Sequence, residues 1–148
     1  MTFGKLEDNR FMLRLERGED IHEQLTTFCN DQQIINATIT GIGSIENPTL
    51  AHYFVDTKKY SEKELPGVFE VTGLLGNVAL FEEKPLLHLH ITISDEQMRA
   101  LAGHLVRGTV SATLEIHLIS YPSAYEKKHD EEIGLNLFDL PEKVQTHS

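Results

Sequence analysis

The run Leu86-Leu87-His88-Leu89-His90-Ile91-Thr92-Ile93 is the most constraining stretch of this chain. It reads as a strand, and strand side chains alternate between two faces. His88 and His90 therefore point to the same side. A third histidine follows in Ala102-Gly103-His104-Leu105. Two histidines on one strand face plus one from a neighbouring element is one way to build an open metal site. Zinc in catalytic sites takes three protein ligands and leaves a position for water or substrate. The alternative is a polar outward face on a half-buried strand, and the alternation alone does not choose between them.

With 148 residues the chain has the length of one domain and can bury a real core. No apolar run is long enough to span a membrane. The segment Met1-Thr2-Phe3-Gly4-Lys5-Leu6-Glu7-Asp8 lacks the apolar centre of a signal peptide. Cys29 is the sole cysteine, so no internal disulfide can form. These features predict a cytoplasmic protein with no membrane partner. Lys and Arg number 13 against 23 Asp and Glu, and the net charge of −10 opposes nucleic acid.

Taken in order, Arg10 to Glu16 alternates as a strand with Phe11, Leu13 and Leu15 inward. After the turn at Arg17-Gly18-Glu19, Asp20 caps a helix, with Glu23 completing a capping box. Ile21, Leu25, Phe28 and Cys29 form that helix's apolar stripe, which makes Cys29 a buried, inert thiol rather than a nucleophile. Ile35 to Thr40 is the next strand. Gly41 and Gly43 then allow a bulge or a close backbone approach, a structural use in preference to an anion cradle. Strands follow at Leu50–Val55 and Val68–Leu75, separated by a charged loop. Gly76-Asn77 reads as a tight turn into Val78–Phe81. Ser94-Asp95-Glu96-Gln97 looks like the start of a second helix, with Met98, Leu101 and Ala102 as its apolar side and Gly103 as its end. Val106 to Ser120 is one long strand. Tyr125 to Glu132 reads as a charged linker. Leu135, Leu137, Phe138 and Leu140 form an apolar cluster that docks on the domain or on a neighbouring subunit, and Glu142 to Ser148 is frayed. The expectation is a single α+β domain, a mainly antiparallel sheet of about seven or eight strands with two short helices.

Other candidates for chemistry are few. Glu115 could orient a ligand or serve as a general base, and is the one catalytic residue named. His117 shares its strand face. Both could equally line a solvated or subunit-contacting face. Arg10, Arg14 and Arg17 form the best basic cluster; Arg14 and Arg17 are the candidates for anion binding. Edge protection or salt bridging explains them as well. His22, His52, His129 and His147 have no partner at ligand spacing and read as surface residues; His147 could take a metal adventitiously.

The ordered set Arg14-Leu15-Glu16-Arg17-Gly18-Glu19-Asp20, Thr40-Gly41-Ile42-Gly43-Ser44, His88-Leu89-His90-Ile91, Gly103-His104-Leu105 and Thr113-Leu114-Glu115 resembles the PPC domain of plants and prokaryotes. The resemblance runs from Phe11 to Ser120, so residues 1–148 would be one such domain with its core near 10–120 and a C-terminal extension over 121–148. It implies a compact α+β fold and a homotrimer. The fold is also similar to that of acetolactate decarboxylase, a zinc enzyme with a three-histidine site. That similarity implies ligands at His88, His90 and His104 with zinc as the cofactor, and the first functional reading is a site of this kind that binds or turns over a small anionic metabolite. Two departures stand out. Family members usually show two glycines before the third histidine, and here the first position is Ala102. In plants the domain accompanies AT-hook motifs, and bacterial members are often labelled DNA-binding-like. No Arg-Gly-Arg-Pro stretch occurs here, so that role does not carry over. A DNA-binding or regulatory module without catalysis is the second reading, and a purely structural interaction domain the third. No residue names a reaction.

Overall fold

The computed structural model describes residues 1–123 and 125–141. The expected frayed end at Glu142–Ser148, with His147, lies outside the described residues. The main sheet contains β1 (Thr2–Glu7), β2 (Arg10–Glu16), β3 (Ala37–Phe54), β4 (Lys59–Glu64), β5 (Val68–Phe81), β6 (Lys84–Ser94) and β7 (Ala100–Ser120). Helix α1 (Ile21–Asp31) joins β2 to β3, and β8 (Lys127–Asp130) and β9 (Leu135–Phe138) form a small hairpin after β7.

Neighbours in the main sheet run β1-β2-β7-β6-β5-β3-β4. All of these pairings are antiparallel. β7 also pairs with β3, so β7, β6, β5 and β3 close into a ring. The length of β7 permits this. Ala100–His104 pairs with β6 and Thr113–Ile119 with β2, while the other edge follows β3 from His104 to Ser120.

Alternation sorts the apolar residues inward, as expected. Phe11, Leu13 and Leu15 of β2, Leu89, Ile91 and Ile93 of β6, and Leu114, Ile116 and Leu118 of β7 are all buried. They join one cluster with Ile21, Leu25, Phe28 and Cys29 of α1. Each such side chain contributes about 1.5–3 kcal/mol by leaving water. The helix starts where its cap residue predicts: Asp20 Oδ1 accepts from the Glu23 amide at 2.9 Å. The glycine pair does open a bulge, with a register shift between Gly41 and Gly43. A Cβ on Gly43 would lie 2.2 Å from the Thr113 carbonyl oxygen, so only glycine lets β3 and β7 approach this closely.

Four expectations need correcting. Gly76-Asn77 is not a turn; β5 runs unbroken through it, with Gly76 opposite both Leu89 and Ile39. The reversal comes later, at Glu82 and Glu83, both in the left-handed region with φ of 49° and 63°. The second helix is absent among the described residues. Asp95 caps something there, but its Oδ1 accepts from the Gln97 and Arg99 amides, each at 2.9 Å, and so closes a turn between β6 and β7. Met98, at φ 61°, stops any helical run. β1 and β4 carry no apolar alternation to reveal them; every residue of both is exposed, and they exist through backbone pairing with β2 and β3. The charged linker holds β8, which pairs with β9 over the segment read as an apolar dock. That hairpin is strapped down by polar bonds: Tyr53 Oη donates to the Ile133 carbonyl at 2.7 Å. Leu137 and Leu140 remain exposed.

Candidate metal centre

β6 presents Leu89, Ile91 and Ile93 to the core, which leaves His88 and His90 on its outer face. His90 lies directly opposite His104 of β7 in the ladder, so all three rings share one patch. Ring centroids are 5.0 Å apart for His88–His90, 5.3 Å for His88–His104 and 5.5 Å for His90–His104. One ring nitrogen from each comes within 4.8 Å of the others. The Nε2 atoms of His88 and His90 are 3.2 Å apart. A tetrahedral zinc with Zn–N bonds of about 2.0–2.1 Å spaces its ligand nitrogens by about 3.3 Å. The donor set therefore fits a zinc-type ion. His104 Nδ1 is also buried with no hydrogen-bond partner among the described residues.

Close backbone packing holds the patch. A Cβ on Gly76 would sit 2.5 Å from the His88 carbonyl oxygen, so glycine lets β5 lie tight beneath the histidine strand. Gly103 similarly faces the Ala51 carbonyl at 3.0 Å. Ala102, the departure from the usual pair of glycines, is exposed.

Electrostatics favour the neutral form of His88 and His104. Burial first, then the positive charges of Lys127, His90 and His104, push His88 down to about 4. Burial also lowers His104, followed by His90, His22 and Lys127. Neutral imidazole is the ligand form.

Further side chains surround the patch that the linear reading did not assign to it. Asn77 is the cross-strand partner of His88, and its Oδ1 is buried without a partner among the described residues. Tyr60 of β4 stacks at 5.5 Å from the His104 ring. Lys127 of β8 is buried. The available signal for Asn77 was the apolar residues on both sides of Gly76-Asn77, which suit one long strand. No local signal points Tyr60 or Lys127 at the histidines. His22, read as a surface residue, is half-buried, and its Nδ1 has no partner among the described residues. His52 and His129 are exposed, as expected.

Glu115 is not brought to the histidines. It sits eleven positions beyond His104 on the same strand, exposed, opposite Arg14 on one side and Ile42 on the other. His117 faces Met12 and Thr40. The row His90–Leu75–Thr40–His117 spans three strand spacings, about 14 Å. Arg14 bonds to Glu16 at 3.1 Å and Arg10 lies 3.4 Å from Glu7, while Arg17 is exposed beyond the end of β2. The three arginines do not converge on the metal patch. A surface cavity of about 720 Å³ lies between Leu65–Glu70 and the Asp95–Arg99 turn, and none of the three histidines lines it.

No curated protein matches the chain. Solved structures do. A candidate DNA-binding protein from Bacteroides thetaiotaomicron superposes with a TM-score of 0.90 at 30% identity, over 93% of this chain and 96% of that one. A plant- and prokaryote-conserved (PPC) protein from Pyrococcus horikoshii gives 0.85 at 29% identity, over 96% of each chain. A metal-containing protein from Archaeoglobus fulgidus gives 0.82 at 30% identity, over 93% and 98%. Residues 4–122 match the Plants and Prokaryotes Conserved (PCC) domain, the family that the ordered motifs resemble, and the chain belongs to that family.

Proposed function

We propose that the protein holds one zinc-type ion on His88, His90 and His104 and offers its open coordination position to a small ligand, working as a cytoplasmic homotrimer. The observation that carries this is the convergence of three ring nitrogens within 4.8 Å on one sheet face. The Archaeoglobus relative, described as metal-containing, supports it. Once bound, such an ion supplies Lewis acidity, which activates water or polarises a carbonyl oxygen. The chain's own contribution is to keep His88 and His104 unprotonated by burial and to hold the rings in register. Asn77 offers a buried acceptor beside His88 for an N–H of the site.

The trimer reading draws on exposed apolar side chains on the same face. Leu75, the cross-strand partner of His90, is 61% exposed, and Ile42 is 60% exposed. Cytoplasmic residence rests on the unpaired, buried Cys29. No helix among the described residues is long and apolar enough to cross a membrane.

Two structural relatives are described as candidate DNA-binding proteins. Against that reading here, Arg10, Arg14 and Arg107 each lie against a glutamate, in a chain of net charge −10. Elemental analysis of tag-free protein tests the metal site. We expect near one zinc per chain, lost in His88→Ala. Stoichiometric metal retained in that variant would remove the assignment. Light scattering on the same samples reads the trimer.

A further inference from the structure

Lys127 is a buried cation without a counter-charge among the described residues. It is 7% exposed, and none of the ion pairs among the described residues includes it. Its ammonium stands over the Phe138 ring, 5.0 Å from the centroid. A cation–π contact offsets only part of the cost of taking an ammonium out of water.

Its place in the fold points to what completes the compensation. The preceding residue, Glu126, bridges Leu80 of β5, and the Leu80 amide donates to the Tyr125 carbonyl at 3.3 Å. Leu80 is three positions past Asn77, the residue opposite His88. Ala79 and Ala51, on the strands flanking the histidine patch, are buried yet stand outside the apolar core cluster, so the outer face is itself covered there. Behind burial, the positive charge of Lys127 is one of the lesser causes that lower His88 and His104. The β5–β8 side of the three-histidine group thus holds a buried ammonium and, in Asn77 Oδ1, a buried acceptor, the first with no ion-pair partner and the second with no hydrogen-bond partner among the described residues.

We propose that Lys127 receives the carboxylate of a small ligand whose neighbouring oxygen takes the open position at the His88–His90–His104 metal. The ligand class is therefore a short carboxylate with an adjacent hydroxyl or carbonyl oxygen. A buried hydrogen bond to a charged group is the interaction that discriminates it. This inference rests on the metal-site reading above, and its test separates the two.

The test uses the full chain loaded with cobalt(II), whose visible spectrum reports ligands entering the open position. Cobalt stoichiometry is measured first, before any probe is added. Parent protein without bound cobalt would end the metal-site reading and this inference with it. With cobalt bound, two probes are titrated: glycolate, which carries a carboxylate beside a hydroxyl, and acetohydroxamate, which grips a metal with no separate carboxylate. Lys127→Met should weaken glycolate by about 10- to 100-fold. It should leave acetohydroxamate within about threefold of the parent. Lys127→Arg, which keeps the charge, should retain most of the glycolate affinity. No glycolate binding by the cobalt-loaded parent, or equal affinity in the parent and Lys127→Met, overturns the proposal while leaving the metal site standing. Loss of cobalt from Lys127→Met also overturns it, because Lys127 would then serve to build the metal site.

Discussion

His90 and His104 stand directly opposite each other across the β6–β7 ladder, although fourteen positions separate them in the sequence. The Asp95–Arg99 turn converts that separation into one cross-strand step, with Ser94 opposite Ala100 at its base. Register carries the site. A slip of one residue would turn His104 toward the core and bring Gly103 or Leu105 opposite His90. Buried Leu105 and Leu89 oppose that slip, because it would expose them.

His88 and His104, along with His22, contribute to the pH dependence of the metal-free protein, and the first two do so at the site itself. Both titrate below an ordinary histidine when folded, His88 at about 4, and return to about 6.5 when unfolded. Between those values the unfolded chain binds more protons than the folded one. Stability is therefore full above pH of about 6.5 and falls as the pH drops toward about 4. For half-buried His88 the loss is about 1–3 kcal/mol. Urea unfolding near pH 7.5 and near pH 4.5 measures it. His88→Ala should flatten the slope, and an unchanged slope would show that other groups set it.

Gly76→Ala should strain the floor of the site. The new methyl would meet the His88 carbonyl oxygen at 2.5 Å and a Leu89 methyl at 2.5 Å. We expect a loss of about 1–3 kcal/mol together with weaker metal binding. Gly73→Ala, with nothing within 4 Å of its added Cβ, is the control and should keep both. Thermal melts and metal titration read the pair. Equal melting temperatures in the two variants would contradict the close approach.

Tyr53→Phe should loosen the β8–β9 hairpin. It removes the 2.7 Å bond to the Ile133 carbonyl while keeping the ring, at a cost of about 0.5–1.5 kcal/mol. Faster amide exchange in Lys127–Asp130, with β2 and β7 unchanged, is the expected pattern. Uniform acceleration would mean that the hairpin does not open on its own.

Cys29 should be silent until the protein unfolds. It is fully buried in the apolar core, and burial pushes its thiol up to about 12. A disulfide reagent near neutral pH should label it in denaturant and leave it untouched without. Rapid labelling of the native protein would show that α1 lifts from the sheet.

The legible part of the fold was its alternation. Phe11-Met12-Leu13-Arg14-Leu15 and Leu87 to Ile93 declare their inner faces, since each strand position is committed to one side. Asp20 and Ile21-Leu25-Phe28-Cys29 declare the helix through a cap and a 3.6-residue stripe. The misread segments share a cause. Asp95 carries the same side-chain chemistry into a helix cap or a tight turn, and the conformation of Met98, three residues on, decides for the turn. Gly76 carries no side chain in a turn or in a crowded strand, and its neighbours across the ladder decide between them. β4 has no apolar residue beyond Tyr60, so nothing local marks it as a strand.

By itself, the sequence determined that His88 and His90 share the face opposite Leu89 and Ile91, because a strand's period of two is a local property of the backbone. It determined the inward set of β2, β6 and β7 for the same reason. Only the tertiary structure decided which distant residues meet that pair. Ring closure and register bring His104, Asn77 and Tyr60 to the histidines and carry Glu115 to the far end of β7. Those meetings depend on hydrogen-bonded ladders between segments far apart in the chain, and no local propensity encodes them.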